Sequence, residues 1–146
     1  MKEDKLLLAG VIGGLSTIPA EIVSRILLFL GIGKYTIYQL DSFIFTMNRP
    51  TIIIGIIVCL IVGGFSAVLL YSAFKRLGSD NLVIKSAMFG LLLCMLQQIL
   101  FTITVEGKYI EIRPISDYYV HMLGAATFGI TEGLLFKKFL LKKTFQ

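Results

Sequence analysis

The sequence has no tryptophan, one histidine, two cysteines and three prolines in 146 residues. Each scarcity excludes something. A single histidine rules out a multi-histidine metal site and the HExxH zinc motif. Cys59 and Cys94 match no metal or redox spacing. Both fall in apolar runs, where a thiol behaves as a small hydrophobe, and a bridge between them is not expected. No glycine-rich phosphate loop follows a strand, no Ser-His-Asp set has positional support, and no paired intramembrane acids are present. Nothing in the chain asks for an enzyme, a cofactor or a metal. Charge is sparse as well, at 16% of residues.

Apolar residues are abundant: 56% of the chain is hydrophobic and the mean hydropathy is +0.86. That is far too apolar for a soluble domain of this size. The apolar residues gather into four runs, 6–30, 51–74, 82–105 and 118–136. About 20 apolar residues cross a bilayer as helix. The expectation is an all-α integral membrane four-helix bundle, with 1–146 forming one transmembrane domain whose surroundings are the lipid bilayer. The first run reads as a retained span: Glu3 and Asp4 spoil a signal-peptide n-region, and no clean small-x-small cleavage site follows.

The net charge of +5 and pI of about 9.3 do not point to nucleic acid, because the basic residues flank the runs. Lys2, Lys5, Lys75, Arg76, Lys85, Lys137, Lys138, Lys142 and Lys143 fall on one side. Lys34, Arg49, Lys108 and Arg113 fall on the other. Cytoplasmic loops carry the excess of Lys and Arg, so both termini are expected in the cytoplasm of a plasma-membrane protein. The basic tail could also attract anionic lipid.

The connections differ in kind. Residues 35–48 mix Tyr35, Tyr38, Phe43 and Phe45 with Gln39, Asp41 and Ser42, the pattern of an interfacial amphipathic segment. Residues 75–81 form a tight link. Gly78 suits a left-handed cap, and Ser79, Asp80 and Asn81 suit the start of the next helix. The second and third spans are therefore expected to form a close antiparallel hairpin. A short echo pairs Gly33-Lys34-Tyr35 with Gly107-Lys108-Tyr109, too brief to establish a repeat.

Lipid gives helices no hydrophobic reason to associate, so small residues that admit close backbone contact take that role. They recur every four residues: Gly10 and Gly14; Gly55, Cys59, Gly63 and Ala67; Ser86, Gly90 and Cys94; Ala125, Gly129 and Gly133. Packing is expected at Gly55, Gly63, Gly90, Gly129 and Gly133, either within one chain or between copies.

Polar groups inside the runs are the candidate functional residues. Glu21 and Arg25 lie one turn apart, acid first, the favourable order for an ion pair. Rising 1.5 Å per residue, Glu21 sits about 22 Å along the first helix, and Gln97 and Gln98 reach a similar level along the third. Tyr118 and His121 open the fourth. These six could form an outward polar pocket, or Glu21 and Arg25 could simply neutralise each other. Glu132 lies near the inner end, where it could reach Lys137 and Lys138 or serve as an inner relay.

The layout resembles the YqhR-type family of small membrane proteins of Gram-positive, spore-forming bacteria. The likeness lies in Gly13-Gly14, in the run from Gly63-Gly64-Phe65-Ser66 to Tyr71 leading into Lys75-Arg76, and in Phe89-Gly90-Leu91. It implies four spans and a bacterial plasma membrane, and no mechanism. The function expected is a non-enzymatic membrane-embedded binding or assembly protein, with itself or another membrane protein as partner. The alternatives are a small oligomeric transporter or channel for a polar solute or proton, and an enzyme acting on a lipid headgroup.

Overall fold

A computed structural model describes residues 4–141. Lys2, Lys142 and Lys143 of the charge count lie outside the described residues. The described chain is all-α: α1 (Lys5–Phe29), α2 (Ile37–Thr46), α3 (Ile52–Leu77), α4 (Leu82–Thr104) and α5 (Ile115–Leu135), closed by a π-helical turn, Phe136–Leu141. By length and composition α1, α3 and α4 are able to cross a membrane. The 21 residues of α5 reach about 31 Å, but that helix carries Asp117, His121 and Glu132, all buried.

The ends of α1 and α2 follow from local chemistry. The Asp4 carboxylate accepts from the Leu6 and Leu7 N–H groups at 3.0 and 3.1 Å, which caps α1. A capping box opens α2: Thr36 Oγ1 accepts from the Gln39 N–H, and the Gln39 side chain accepts from the Thr36 N–H. At the start of α4, Asn81 occupies the cap position in the left-handed region, but its side chain makes no capping bond.

The small-residue rows are used within the chain. α1 lies on α3 with Gly13 against the Gly63 backbone and Gly10 near Gly64. α5 lies on α4 with Gly129 against the Ser86 backbone and Gly90 against Ala125 and Gly129. Gly133 sits against Val83 and Ser86. A Cβ at Gly13, Gly90 or Gly129 would overlap the facing backbone. Gly55 serves a different partner, since a Cβ there would strike the Tyr38 carbonyl of α2.

The expected hairpin of the second and third spans is not what forms. α3 and α4 are neighbours in sequence, yet they do not pack along their lengths; α3 packs on α1, α1 on α5, and α5 on α4. The physical reason is where the small residues point. Gly63 and Ala67 of α3 face Gly13, and Gly90 of α4 faces α5. The short link therefore joins two helices that stand on either side of a gap.

Two apolar clusters close the ends of that gap. At one end Ala9, Ile12, Leu70, Tyr71, Phe74, Leu82, Phe136 and Leu140 pack together. At the other, Leu40 and Phe43 of α2 pack with Phe101, Val105 and Ile110. The segment expected to lie at the interface is thus a helix docked on α3, with Tyr38, Leu40, Asp41, Ser42 and Phe43 buried. Ile44 and Phe45 remain on its exposed side.

Candidate functional site

The gap between α3 and α4 contains a cavity of about 100 Å³. Its walls are mostly apolar, with Val62, Leu93 and Phe128 among them. Its polar lining comes from every helix: Thr17 of α1, Asp41 of α2, Cys59 and Ser66 of α3, Cys94 and Gln97 of α4, and His121 of α5. A second, wider groove, lined by Ser79, Asn81, Lys137 and apolar residues, lies at the start of α4.

Asp41 is the acid of the cavity and is 7% exposed. The Cys59 thiol donates to its Oδ2 at 2.6 Å, and the Gln97 amide donates to its Oδ1. No cation pairs with Asp41 among the described residues; Arg25 and Arg113 are engaged elsewhere. Burial pushes the Asp41 carboxyl above its ordinary pKa, while the Cys59 and Gln97 donors pull it back.

The hydroxyl hydrogens in the lining are committed to protein acceptors. Thr17 Oγ1 donates to the Gly14 carbonyl at 2.7 Å, and Ser66 Oγ donates to the Gly63 carbonyl at 2.9 Å. His121 Nδ1 lies 2.9 Å from the Asp117 carbonyl. A carbonyl can only accept, so the neutral ring carries its proton on Nδ1 and a lone pair on Nε2. Nε2 is buried and has no partner among the described residues.

The six residues expected to form one pocket are distributed over three sites. Gln97 and His121 line the cavity. Glu21 and Arg25 dock α2 onto α1. Glu21 Oε1 accepts from Arg25 Nε at 2.9 Å, and its Oε2 accepts from the Tyr38 N–H at 2.9 Å. Ser24 adds an acceptor for the Ile37 N–H at 3.4 Å. Glu21 thereby meets a free N–H in the first turn of α2, where the helix dipole also favours an anion.

Gln98 and Tyr118 belong to the third site, built around Arg113. The Arg113 side chain is fully buried. Its Nη1 reaches Asp117 Oδ2 at 3.3 Å, and its Nη2 reaches Gln98 Oε1 at 2.8 Å and Glu106 Oε2 at 3.3 Å. Tyr118 donates to Glu106 Oε2 at 3.0 Å, and its ring lies 4.8 Å from the guanidinium carbon. Asp117 Oδ1 accepts from the Lys34 and Tyr35 N–H groups at 2.8 and 3.0 Å. That approach depends on Gly33, whose φ of +88° suits glycine and whose missing Cβ leaves room for Val120 and Asp117. Burial raises the Glu106 pKa, but bonds from the Arg113 N–H and guanidinium outweigh it and hold the carboxyl below its ordinary value.

Glu132 stands apart. It is fully buried, and neither carboxylate oxygen has a partner among the described residues. It therefore does not pair with Lys137 or Lys138, the simpler role open to it from sequence. No group of three or more His, Cys, Asp or Glu among the described residues could hold a metal ion. Sequence reasoning missed Asp41 and Arg113 as buried centres. The available signal for Asp41 was the Thr36-x-x-Gln39 capping box, which marks 37 onward as a helix with Tyr38, Asp41 and Ser42 on one face. No known protein family, no curated protein and no solved structure matches the chain.

Proposed function

We propose that this chain is a four-span integral membrane protein that binds a small amphiphilic molecule entering from the bilayer between α3 and α4. The observation that carries this reading is the cavity itself: apolar walls on two helices that do not pack together, with Asp41, Gln97 and His121 in its lining. An apolar cleft with a few convergent polar groups is the usual form of a small-molecule site. α5 serves as the fourth span, its polar residues turned into the bundle rather than toward lipid.

The charge distribution supports cytoplasmic termini in a plasma membrane. Lys75, Arg76, Lys85, Lys137 and Lys138 are grouped near the 78–81 link. On the opposite side Arg113 is neutralised inside the protein, which leaves Lys34, Arg49 and Lys108 to face solvent. The small-residue rows are buried within one chain, so self-association has no support from them. The binding reading is non-enzymatic; a headgroup enzyme relying on Glu21 loses support because that carboxylate caps α2.

A transporter remains the second reading, favoured by one observation. Glu132 lies on α5 beyond Phe128 as a buried carboxyl without a partner among the described residues, the kind of group that carries a proton or ion.

Thiol accessibility tests the lateral entrance. In proteoliposomes, a lipid-soluble maleimide is expected to modify Cys94, while a membrane-impermeant charged maleimide leaves it unmodified. Equal modification by the impermeant reagent would place the entrance on the aqueous side and refute the reading.

A further inference from the structure

The free hydrogen-bonding capacity of the cavity is almost entirely of one kind. The Cys59 S–H and a Gln97 N–H are taken up by Asp41. The Thr17 and Ser66 hydroxyl hydrogens go to backbone carbonyls of their own helices. What remains on the lining residues are mostly lone pairs: those of the Asp41 carboxyl, of the buried His121 Nε2, of Ser66, and of Thr17, whose oxygen also lies 3.2 Å from Tyr38 Oη. A ligand that only accepts hydrogen bonds finds little there beyond the second Gln97 N–H and the weak Cys94 S–H. A ligand that only donates finds several acceptors.

Charge narrows the choice further. Asp41 has no cationic partner among the described residues, and Glu21, an acid that acts on it, is already balanced by Arg25. The buried cation Arg113 is held by Glu106 and Asp117. The cavity thus holds an acid inside apolar walls, whose charge is costly there unless a cation pairs with it.

We propose that the cavity between α3 and α4 is a site for a primary ammonium on a short aliphatic chain. The ammonium group pairs with Asp41 and donates to His121 Nε2. The aliphatic part lies against Val62, Leu93 and Phe128 and extends toward the lipid. Three N–H donors and one positive charge match the set of acceptors, and a cavity of about 100 Å³ suits a head of this size. This assignment rests on the binding reading above and specifies its ligand class.

The test compares three molecules of equal length on the detergent-solubilised full chain: butylammonium, 1-butanol and butyrate. Binding is read by saturation-transfer NMR titration, with empty micelles as the blank. Butylammonium is expected to bind about tenfold more tightly than butanol, the gain of one charge-assisted hydrogen bond, and butyrate is expected not to bind. Asp41→Asn is expected to abolish the difference between the amine and the alcohol. If that variant fails to fold, the ranking on the unaltered chain decides alone. Equal binding of the amine and the alcohol would overturn the ammonium assignment and leave the cavity reading intact. Binding of none of the three would overturn both.

Discussion

The carboxylate of Glu21 accepts a hydrogen bond from the backbone N–H of Tyr38 at 2.9 Å, across 17 residues of chain. This bond fixes a short helix to a long one at the level where the cavity ends. It also explains an acid within an apolar run through structure. Glu21→Ala is expected to lower stability by about 1–2 kcal/mol, the range for losing an N-terminal cap. Glu21→Gln, which keeps an acceptor, should cost less. Arg25→Gln should cost least, because the Arg25 side chain is half exposed and exposed ion pairs contribute about 0–1 kcal/mol. Unfolding in detergent, followed by circular dichroism, gives the order; a larger loss for Arg25→Gln than for Glu21→Ala would refute the docking role.

Arg113 joins the end of α4, the 105–114 connection and the start of α5 from a fully buried position. Replacing it with Met would leave Glu106 and Asp117 buried without their cation. Removing one partner of a buried pair costs about 3–5 kcal/mol. Arg113→Lys should recover only part of the loss, since an ammonium cannot reproduce the planar fork that serves Asp117, Gln98 and Glu106 together. The same unfolding assay decides, and full recovery by Lys would show that charge alone matters.

Glu106 has a carboxyl held below its ordinary pKa in the folded protein. Its contribution to stability is therefore present above the ordinary carboxylate value and is lost as pH falls through the lowered folded value. Unfolding midpoints measured from neutral pH into the acid range should fall, and Glu106→Gln should flatten part of that decline. An unchanged acid profile in the variant would refute this linkage.

Asp41 has the opposite direction, its carboxyl being raised by burial. Proton and ammonium then compete for the same oxygens, so butylammonium binding should strengthen as pH rises through the folded value. The groups around it are Glu21 on α1, Cys59 on α3, Cys94 and Gln97 on α4 and His121 on α5. The Cys59→Ala and His121→Gln variants should keep the rising profile, and Asp41→Asn should lose it. NMR titration at several pH values makes the comparison.

The glycines of α1 supply a test with an internal control. A Cβ at Gly13 would overlap the Gly63 backbone, whereas one at Gly10 would meet its nearest neighbour, Val68 Cγ2, at an ordinary 3.6 Å. Gly10→Ala should leave the unfolding midpoint nearly unchanged. Gly13→Ala should destabilise by about 1–3 kcal/mol or more, the cost of overpacking. Similar behaviour of the two variants would show that the α1–α3 contact is looser than described.

The helices and their small-residue rows were legible because apolar length and four-residue spacing are local properties. Partner choice was not. Nothing in the row of α3 says whether Gly63 meets α1 or α4, and proximity in sequence suggested the wrong neighbour. Depth along an axis put Glu21, Gln97, Gln98 and His121 at one level, but level carries no information about azimuth. Gln97 and Gln98, adjacent in sequence, turn to different centres, Asp41 and Arg113. Asp41 stayed hidden because an acid among aromatic residues between two spans reads as wetted surface. Arg113 stayed hidden because a basic residue in a connection reads as a topology signal.

The separation of α3 from α4 bears on how the chain assembles during synthesis. α1 and α3 can unite as soon as both have emerged, but α4 has no long partner until α5 follows it. For that interval α4 is held by little more than its contacts with α2 through Phe101 and Gln97. The helix made after α4 is therefore the one that locks the bundle, and a nascent chain halted before Ile115 would expose the Ser86, Gly90 and Cys94 row to any passing membrane segment.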